Sequence, residues 1–294
     1  MNENEVLAPA RAAAAASRGL SDDDLSQILR SVTDHCGHDL TSYRLGPLQR
    51  RLERRARESH LGSLADYACA LRQTPAELDV LLSCLLGRTS RFFRAPAQLA
   101  ALRSLALEPL LAARPTRDPF RAWIIGCSTG EEAYSIAMLL LEVRDDVPAA
   151  EIEILGTDVD PHSIEVARAG AYGPRIARDV APARIDRFFV PVEQGFRVSD
   201  DVRRRVRFST HDPLVDPPFP DLDLIVCRGL LDALKPAPRQ EVLLRLQSGL
   251  RPGGALLIGP SESRPLAASC LSLTEARQRL FVRMAGETRA GPGS

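Results

Sequence analysis

The residues of this chain whose types and spacing could do chemistry begin at Gly126, Ser128 and Gly130, followed at once by Glu131 and Glu132. Before them, Phe120 to Ile125 is an apolar run rich in aromatic and β-branched residues. After them, Ala133, Ile136, Ala137 and Leu140 recur at helical spacing. The pattern predicts a buried strand, a tight small-residue turn and an amphipathic helix opening near Gly130. Such junctions hold nucleotides in doubly wound α/β folds, because ligands sit at the carboxyl ends of the strands. A dinucleotide fingerprint needs G-x-G-x-x-G, whereas Gly126 and Gly130 are four apart. A pyrophosphate would also be repelled by two glutamates at the helix start, and a cationic ligand without phosphate would be attracted. S-adenosylmethionine, a sulfonium, is such a ligand. On the residues alone an equal alternative stands: both glutamates simply complement the helix dipole.

A second acidic position follows one βα unit later in IEILGTDVD, residues 152 to 160. Asp158 ends the expected second strand, where a carboxylate accepts from ribose hydroxyls in this architecture. Asp160, directly before Pro161, suits the N-cap of the next helix better than Asp158 does.

The elements that must position these groups fall into two parts. Residues 1–18 are alanine-dominated and expected to be a disordered tail. Four helices are expected in residues 19–90: from the Ser21 N-cap to Gly37, from Pro47 to Ser59, from Ser63 to Gln73, and from Pro75 to Leu86. A Thr74 to Glu77 capping box would open the last. The second of these is basic: Arg44, Arg50, Arg51, Arg54, Arg55 and Arg57 are opposed only by Glu53 and Glu58. A solvated face explains it as a sequence pattern. Residues 91–284 carry the α/β part, entered through a helix from about Pro96 to Ala113. The rhythm breaks at 170–205, which reads as an insertion. A helix over about 238–250, strands near 255–259 and a terminal hairpin complete it, and 285–294 form a second tail.

Composition narrows the function further. The 294 residues carry 38 basic and 38 acidic side chains, so the net charge gives no global grip on a polyelectrolyte. Aromatic residues are 5% of the chain, which leaves no stacking platform for nucleic acid beside the basic helix. The six cysteines show neither C-x-x-C pairs nor metal-ligand spacing and read as buried free thiols of a reducing cytoplasm; no metal site is expected. No apolar run is long enough to span a membrane, and no leader pattern is present. No Ser/His/Asp or Cys/His nucleophile set emerges; His162 and His211 read as surface or turn residues.

With GCSTGEEAYSIAM at 126–138, SRFFR at 90–94, LGTDVD at 155–160, AGAYGP at 169–174, RFF at 187–189 and RPGGALLIGPSES at 251–263, the sequence resembles the CheR-type chemoreceptor methyltransferases over roughly residues 20 to 284. The resemblance implies a Rossmann-like S-adenosylmethionine-dependent methyltransferase fold with a small all-helical N-terminal domain and a small β insertion. It implies methyl transfer to glutamate carboxylates on the cytoplasmic helices of chemotaxis receptors by a cytoplasmic monomer. Carried onto this chain, it makes Arg94 the catalytic arginine and places Ser90, Arg94, Gly126, Glu131, Asp158, Asp212, Pro213, Gly229 and Leu230 around the cofactor. It makes Arg50, Arg51, Arg54 and Arg55 a substrate-binding face suited to carboxylates. Phe92 and Phe93 are expected to wedge the domain junction. In some members the insertion binds a tethering peptide of the receptor.

This chain departs from the family pattern at four places. Arg88 stands where asparagine is usual, Asp212-Pro213 replaces Asn-Leu, Gly229 replaces the asparagine of C-R-N, and Ala233 or its neighbour replaces a tyrosine. One lost neutral hydrogen bond is about 0.5–1.5 kcal/mol, roughly tenfold in affinity, whereas a lost substrate-orienting side chain can cost about a hundredfold in rate. A degenerate member acting as a scaffold or S-adenosylmethionine sensor is the alternative these departures raise.

Overall fold

The computed structural model describes residues 22–60, 64–87, 90–113, 118–144, 151–260, 262 and 271–284. The expected tails at 1–18 and 285–294, the Ser21 cap, Ser63, Arg88 and Cys270 lie outside the described residues. The chain divides into two compact units, Met1–Arg88 and Thr89–Ser294.

The first unit is helical. Its helices are α1 (Asp22–Cys36), α2 (Leu45–Glu58), α3 (Leu64–Gln73) and α4 (Pro75–Leu85), with a short 3₁₀ turn at Leu40–Ser42. The apolar stripe of α1, Leu25, Ile28, Leu29 and Val32, is buried as its spacing requires, and Leu48, Leu52 and Ala56 bury one side of α2. Pro75 opens α4, but Thr74 makes no side-chain cap. The expected capping box is not formed because Glu77 is drawn elsewhere: Arg55 donates to both its oxygens at 2.8 and 2.7 Å and Tyr67 Oη donates at 2.6 Å. A bidentate guanidinium outcompetes one exposed backbone amide.

The second unit is a doubly wound α/β domain. Helix α5 (Pro96–Leu102) runs through a π turn at Arg103–Leu107 into α6 (Glu108–Ala112). There follow β1 (Phe120–Ile125), α7 (Glu131–Val143), β2 (Ile152–Asp158) and α8 (Pro161–Ala169). The insertion holds β3 (Ala171–Tyr172), a 3₁₀ turn, α9 (Pro182–Phe188), β4 (Phe189–Val192) and β5 (Gly195–Val198). The chain then makes α10 (Asp200–Arg203), β6 (Val206–Thr210), β7 (Leu222–Cys227), α11 (Pro236–Gly249), β8 (Leu250–Ile258), β9 (Leu271–Glu275) and β10 (Leu280–Arg283).

The main sheet has the order β6-β2-β1-β7-β8-β10-β9. Strands β6, β2, β1, β7 and β8 are parallel and β10 runs antiparallel between β8 and β9. The chain therefore leaves β1 for β2 on one side and returns to β7 on the other, which opens a crevice at the carboxyl ends of these strands. Insertion strands form a separate antiparallel sheet, β3-β5-β4. Alternation along β1 sends Ala122 and Ile124 into the main core with Tyr134, Ile136 and Leu140 of α7. Trp123, on the opposite face, packs edge-on against His211 and Phe219.

Candidate functional site

The crevice is built by three strand ends side by side, registered as Ile125 beside Thr157 and Ile125 beside Cys227. Past β1 the backbone turns through Gly126 at φ +66°, where an added Cβ would meet nothing within 4 Å. Past β7, Gly229 is at φ +94° and is equally open. Both glycines thus leave bare backbone facing open space on adjacent strands. Gly130 has a different reason: an added Cβ would lie 2.9 Å from Ala167 Cβ, so α7 and α8 approach closely only because it is glycine.

Asp158 is buried at the end of β2, with 6% of its surface exposed. Its Oδ2 accepts the Ser128 amide at 2.8 Å and its Oδ1 the Asp160 amide at 3.0 Å. A carboxylate offers about four lone-pair sites and can serve several donors at once. The cap of α8 is Asp160, which accepts from the His162 amide, as the sequence suggested. At the end of β6, Asp212 Oδ1 accepts the Leu214 amide at 2.9 Å, and Pro213 is buried. His211 is not a surface residue: it is 9% exposed, clusters with the rings of Trp123 and Phe219, and its Nε2 bonds Pro217 O at 3.1 Å.

The two glutamates of the helix start part company. Glu132 pairs with Arg228, and their side chains are 13% and 4% exposed. Its charge is neutralised internally and does not draw a cation into the crevice. Glu131 is half-buried and accepts from Thr129 Oγ1 at 2.6 Å, while Thr129 O accepts from Tyr172 Oη. Burial raises the Tyr172 hydroxyl well above its ordinary pKa, with the Glu131 charge adding to it, so it is a permanent donor at neutral pH.

Arg228 also donates to Arg94 O at 2.9 Å and to Gln98 Oε1 at 3.1 Å. Gln98 in turn donates to Ile258 O and Gln278 O. Arg94 is exposed and sits between Phe93 at φ +49° and Ala95 at φ +57°. Phe92 and Phe93 are 2% and 7% exposed in the core of the second unit itself, with Phe92 edge-on to Tyr172 and Phe189. Ser90 and Leu230 are half-buried.

A group that the sequence reading missed is Glu262, 2% exposed. It accepts from the Gly259 and Asp232 amides at 2.5 and 3.3 Å and from the Gly229 amide. Burial raises its pKa, and these three amides oppose the rise. It pins the loop holding Gly229 and Leu230 to the end of β8. Arg228 was missed as well; both lie inside quoted motifs, but Glu132 is 96 residues from Arg228 and Asp232 is 30 from Glu262.

Of the five arginines of α2, the four expected to bind substrate divide in two. Arg55 is committed to Glu77, and Arg51 donates to Leu85 O at 2.6 Å. Arg50 and Arg54 are exposed, spaced i and i+4 on one helix face. Among the described residues no cluster could hold a metal ion, and no helix is long and apolar enough to cross a membrane.

Comparison with known proteins agrees with this geometry. Residues 88–279 match the family described as CheR methyltransferase, SAM binding domain, and residues 23–86 match CheR methyltransferase, all-alpha domain. An uncharacterized 104.1 kDa protein of Rhodobacter capsulatus is 33% identical over 81% of this chain and 25% of its own length. The probable biofilm formation methyltransferase WspC of Pseudomonas aeruginosa is 32% identical over 81% of this chain and 56% of its own. A probable chemotaxis protein methyltransferase of Rhizobium etli is 33% identical over 72% and 82%. The chain thus spans a quarter of the first of these relatives and just over half of the second. With an all-helical unit, a mostly parallel sheet that carries Asp158 at the end of β2 and an antiparallel insertion, the chain belongs to the CheR methyltransferases and carries their S-adenosylmethionine-binding domain.

Proposed function

We propose that this chain transfers a methyl group from S-adenosylmethionine to glutamate carboxylates on cytoplasmic helices of a methyl-accepting receptor or similar signalling protein, giving methyl esters. The observation that carries the reading is the open space over Gly126 and Gly229 with the buried Asp158 carboxylate between the β1 and β2 turns. It fits a ligand with ribose hydroxyls and a bulky adenosine. Bound there, S-adenosylmethionine supplies a methyl group on a positively charged sulfur. Asp158 would accept from the ribose, Asp212 and Pro213 would border the base, and Glu131, Leu230 and Ser90 would line the remainder. Arg94 would face the reacting carboxylate, and Arg50 and Arg54 would hold acidic side chains of the substrate helices. A substrate glutamate with a pKa of about 4.3 is already ionised at neutral pH, so no general base is required. The chain has to orient the carboxylate and exclude water. A cytoplasmic location is part of the same reading.

The second reading is a binding protein without transfer activity, favoured by Gly229 and Ala233 at the positions of the family's asparagine and tyrosine. Calorimetric titration with S-adenosylmethionine and S-adenosylhomocysteine, on this chain and on Asp158→Ala, tests the cofactor site. Micromolar binding that weakens by at least about tenfold in the variant is expected, from losing hydrogen bonds to a charged acceptor. Absence of binding at millimolar ligand would end the enzyme reading. Binding without base-labile methyl transfer to receptor fragments would leave the second one.

A further inference from the structure

The turn that presents Arg94 is held in an unfavourable conformation. Phe93 and Ala95 are both left-handed, at φ +49° and +57°, which costs about 1–2 kcal/mol for each non-glycine residue. Such strain persists only where the surroundings over-determine it. Three of the groups that do so are known: the Phe93 amide donates to Ser135 Oγ at 2.9 Å, Arg228 donates to Arg94 O, and Phe92 is embedded between Tyr172 and Phe189 of the insertion. The fourth is Arg184 of α9. Its guanidinium lies 3.9 Å over the Phe93 ring, and its Nε and Nη2 donate to Glu142 Oε1 and Oε2 at 2.6 and 2.9 Å. A planar cation clamped to a carboxylate at the end of α7 thus forms a lid on the ring next to Arg94.

We propose that Arg184 is a positioning residue for methyl transfer, holding Phe93 so that the strained turn presents Arg94 in one orientation, and that the insertion is thereby part of the catalytic apparatus. The inference rests on the reading of Arg94 as the group facing the reacting carboxylate. Arg184→Lys keeps a positive charge for Glu142 but loses the stacked plane; Phe93→Leu keeps apolar volume but loses the ring. Hydrogen exchange at the Phe93 amide, with the β1 amides as internal reference, reads the turn directly. In both variants it is expected to quicken about tenfold while β1 is unchanged, and kcat on a receptor fragment to fall by a similar factor with the affinity for S-adenosylmethionine retained. The charge swap Arg184→Glu with Glu142→Arg restores the ion pair without the arginine on α9, so stability should return and kcat should not. Unchanged exchange and kcat in the two single variants would overturn the proposal, as would recovery of kcat in the swap. Arg94→Ala separates the two levels: full activity there would end the reading of Arg94 and this inference with it. An inactive Arg94→Ala beside a normal Arg184→Lys would end the inference alone.

Discussion

Three glycines in the same domain are glycine for three different reasons, and the difference makes a sharp test. An added Cβ at Gly156 would lie 2.6 Å from the buried Phe208 ring, so Gly156→Ala should cost about 1–3 kcal/mol by overpacking while leaving cofactor affinity nearly intact. Gly126 has room for a methyl but a φ of +66°, so Gly126→Ala should cost about 1 kcal/mol in stability and, in addition, weaken S-adenosylmethionine, because the methyl projects into the open crevice. Urea denaturation and calorimetric titration of both variants separate stability from affinity; equal affinity losses would remove Gly126 from the cofactor site. Gly130 is limited by both φ and the approach of Ala167. The sequence made the turn legible, since three small residues between an apolar strand and a periodic helix have few other uses. It could not distinguish their reasons, which lie in neighbours such as Phe208 that are far along the chain. The same limit hid Arg228, whose carboxylate partner Glu132 is 96 residues away, and made two adjacent glutamates look alike when one is neutralised.

At the scale of elements, helix ends and strand limits were readable because they are written locally: Asp160 before Pro161 caps α8, and the burial along β1 and β7 follows their apolar runs. Thr74 and Glu77 had the right spacing for a capping box and formed none, since Glu77 is claimed by Arg55 and Tyr67 across two other helices. That triad ties α2, α3 and α4 together, and it makes the helical unit acid-sensitive. The Arg55 hydrogen bonds hold the Glu77 carboxyl below its ordinary value of 4.5, burial opposing and Tyr67 adding to the effect. A carboxyl whose pKa is lowered in the folded state contributes stability that is present above the unfolded value, and that stability is lost as pH falls through the folded one. Stability of this unit should therefore decline below about pH 4.5, and Glu77→Gln should flatten that decline. At neutral pH the same variant should cost between the roughly 1 kcal/mol of a surface pair and the about 3–5 kcal/mol of a buried one, because the pair is about one-fifth exposed. Helicity followed through acid titration of both proteins measures it; parallel acid limbs would show that the triad does not carry the effect.

For the whole molecule, a zero net charge removes any global attraction to an acidic partner and leaves the work to local patches. The basic pattern of α2 was visible in the sequence, but which arginines are available was not, because that depends on where helix packing directs each side chain. Arg51 and Arg55 are spent inside the helical unit, whereas Arg50 and Arg54 remain exposed, Arg54 only 3.9 Å from Glu58 and 60% exposed. If these two carry the attraction to acidic receptor helices, association must weaken as salt screens it, since exposed charges interact only within a Debye length of about 8 Å at physiological ionic strength. Raising salt should then increase KM for a receptor fragment while the affinity for S-adenosylmethionine stays level. Arg50→Glu with Arg54→Glu should raise KM by about tenfold or more at low salt and flatten the salt dependence, because the reversed charges repel what the arginines attract. Arg51→Glu, by contrast, should appear chiefly as lost stability of the helical unit, since it removes the donor to Leu85 O. Steady-state methyl-transfer kinetics across a salt series decide between the pairs: a KM indifferent to both salt and the double reversal would move the substrate surface off α2 altogether.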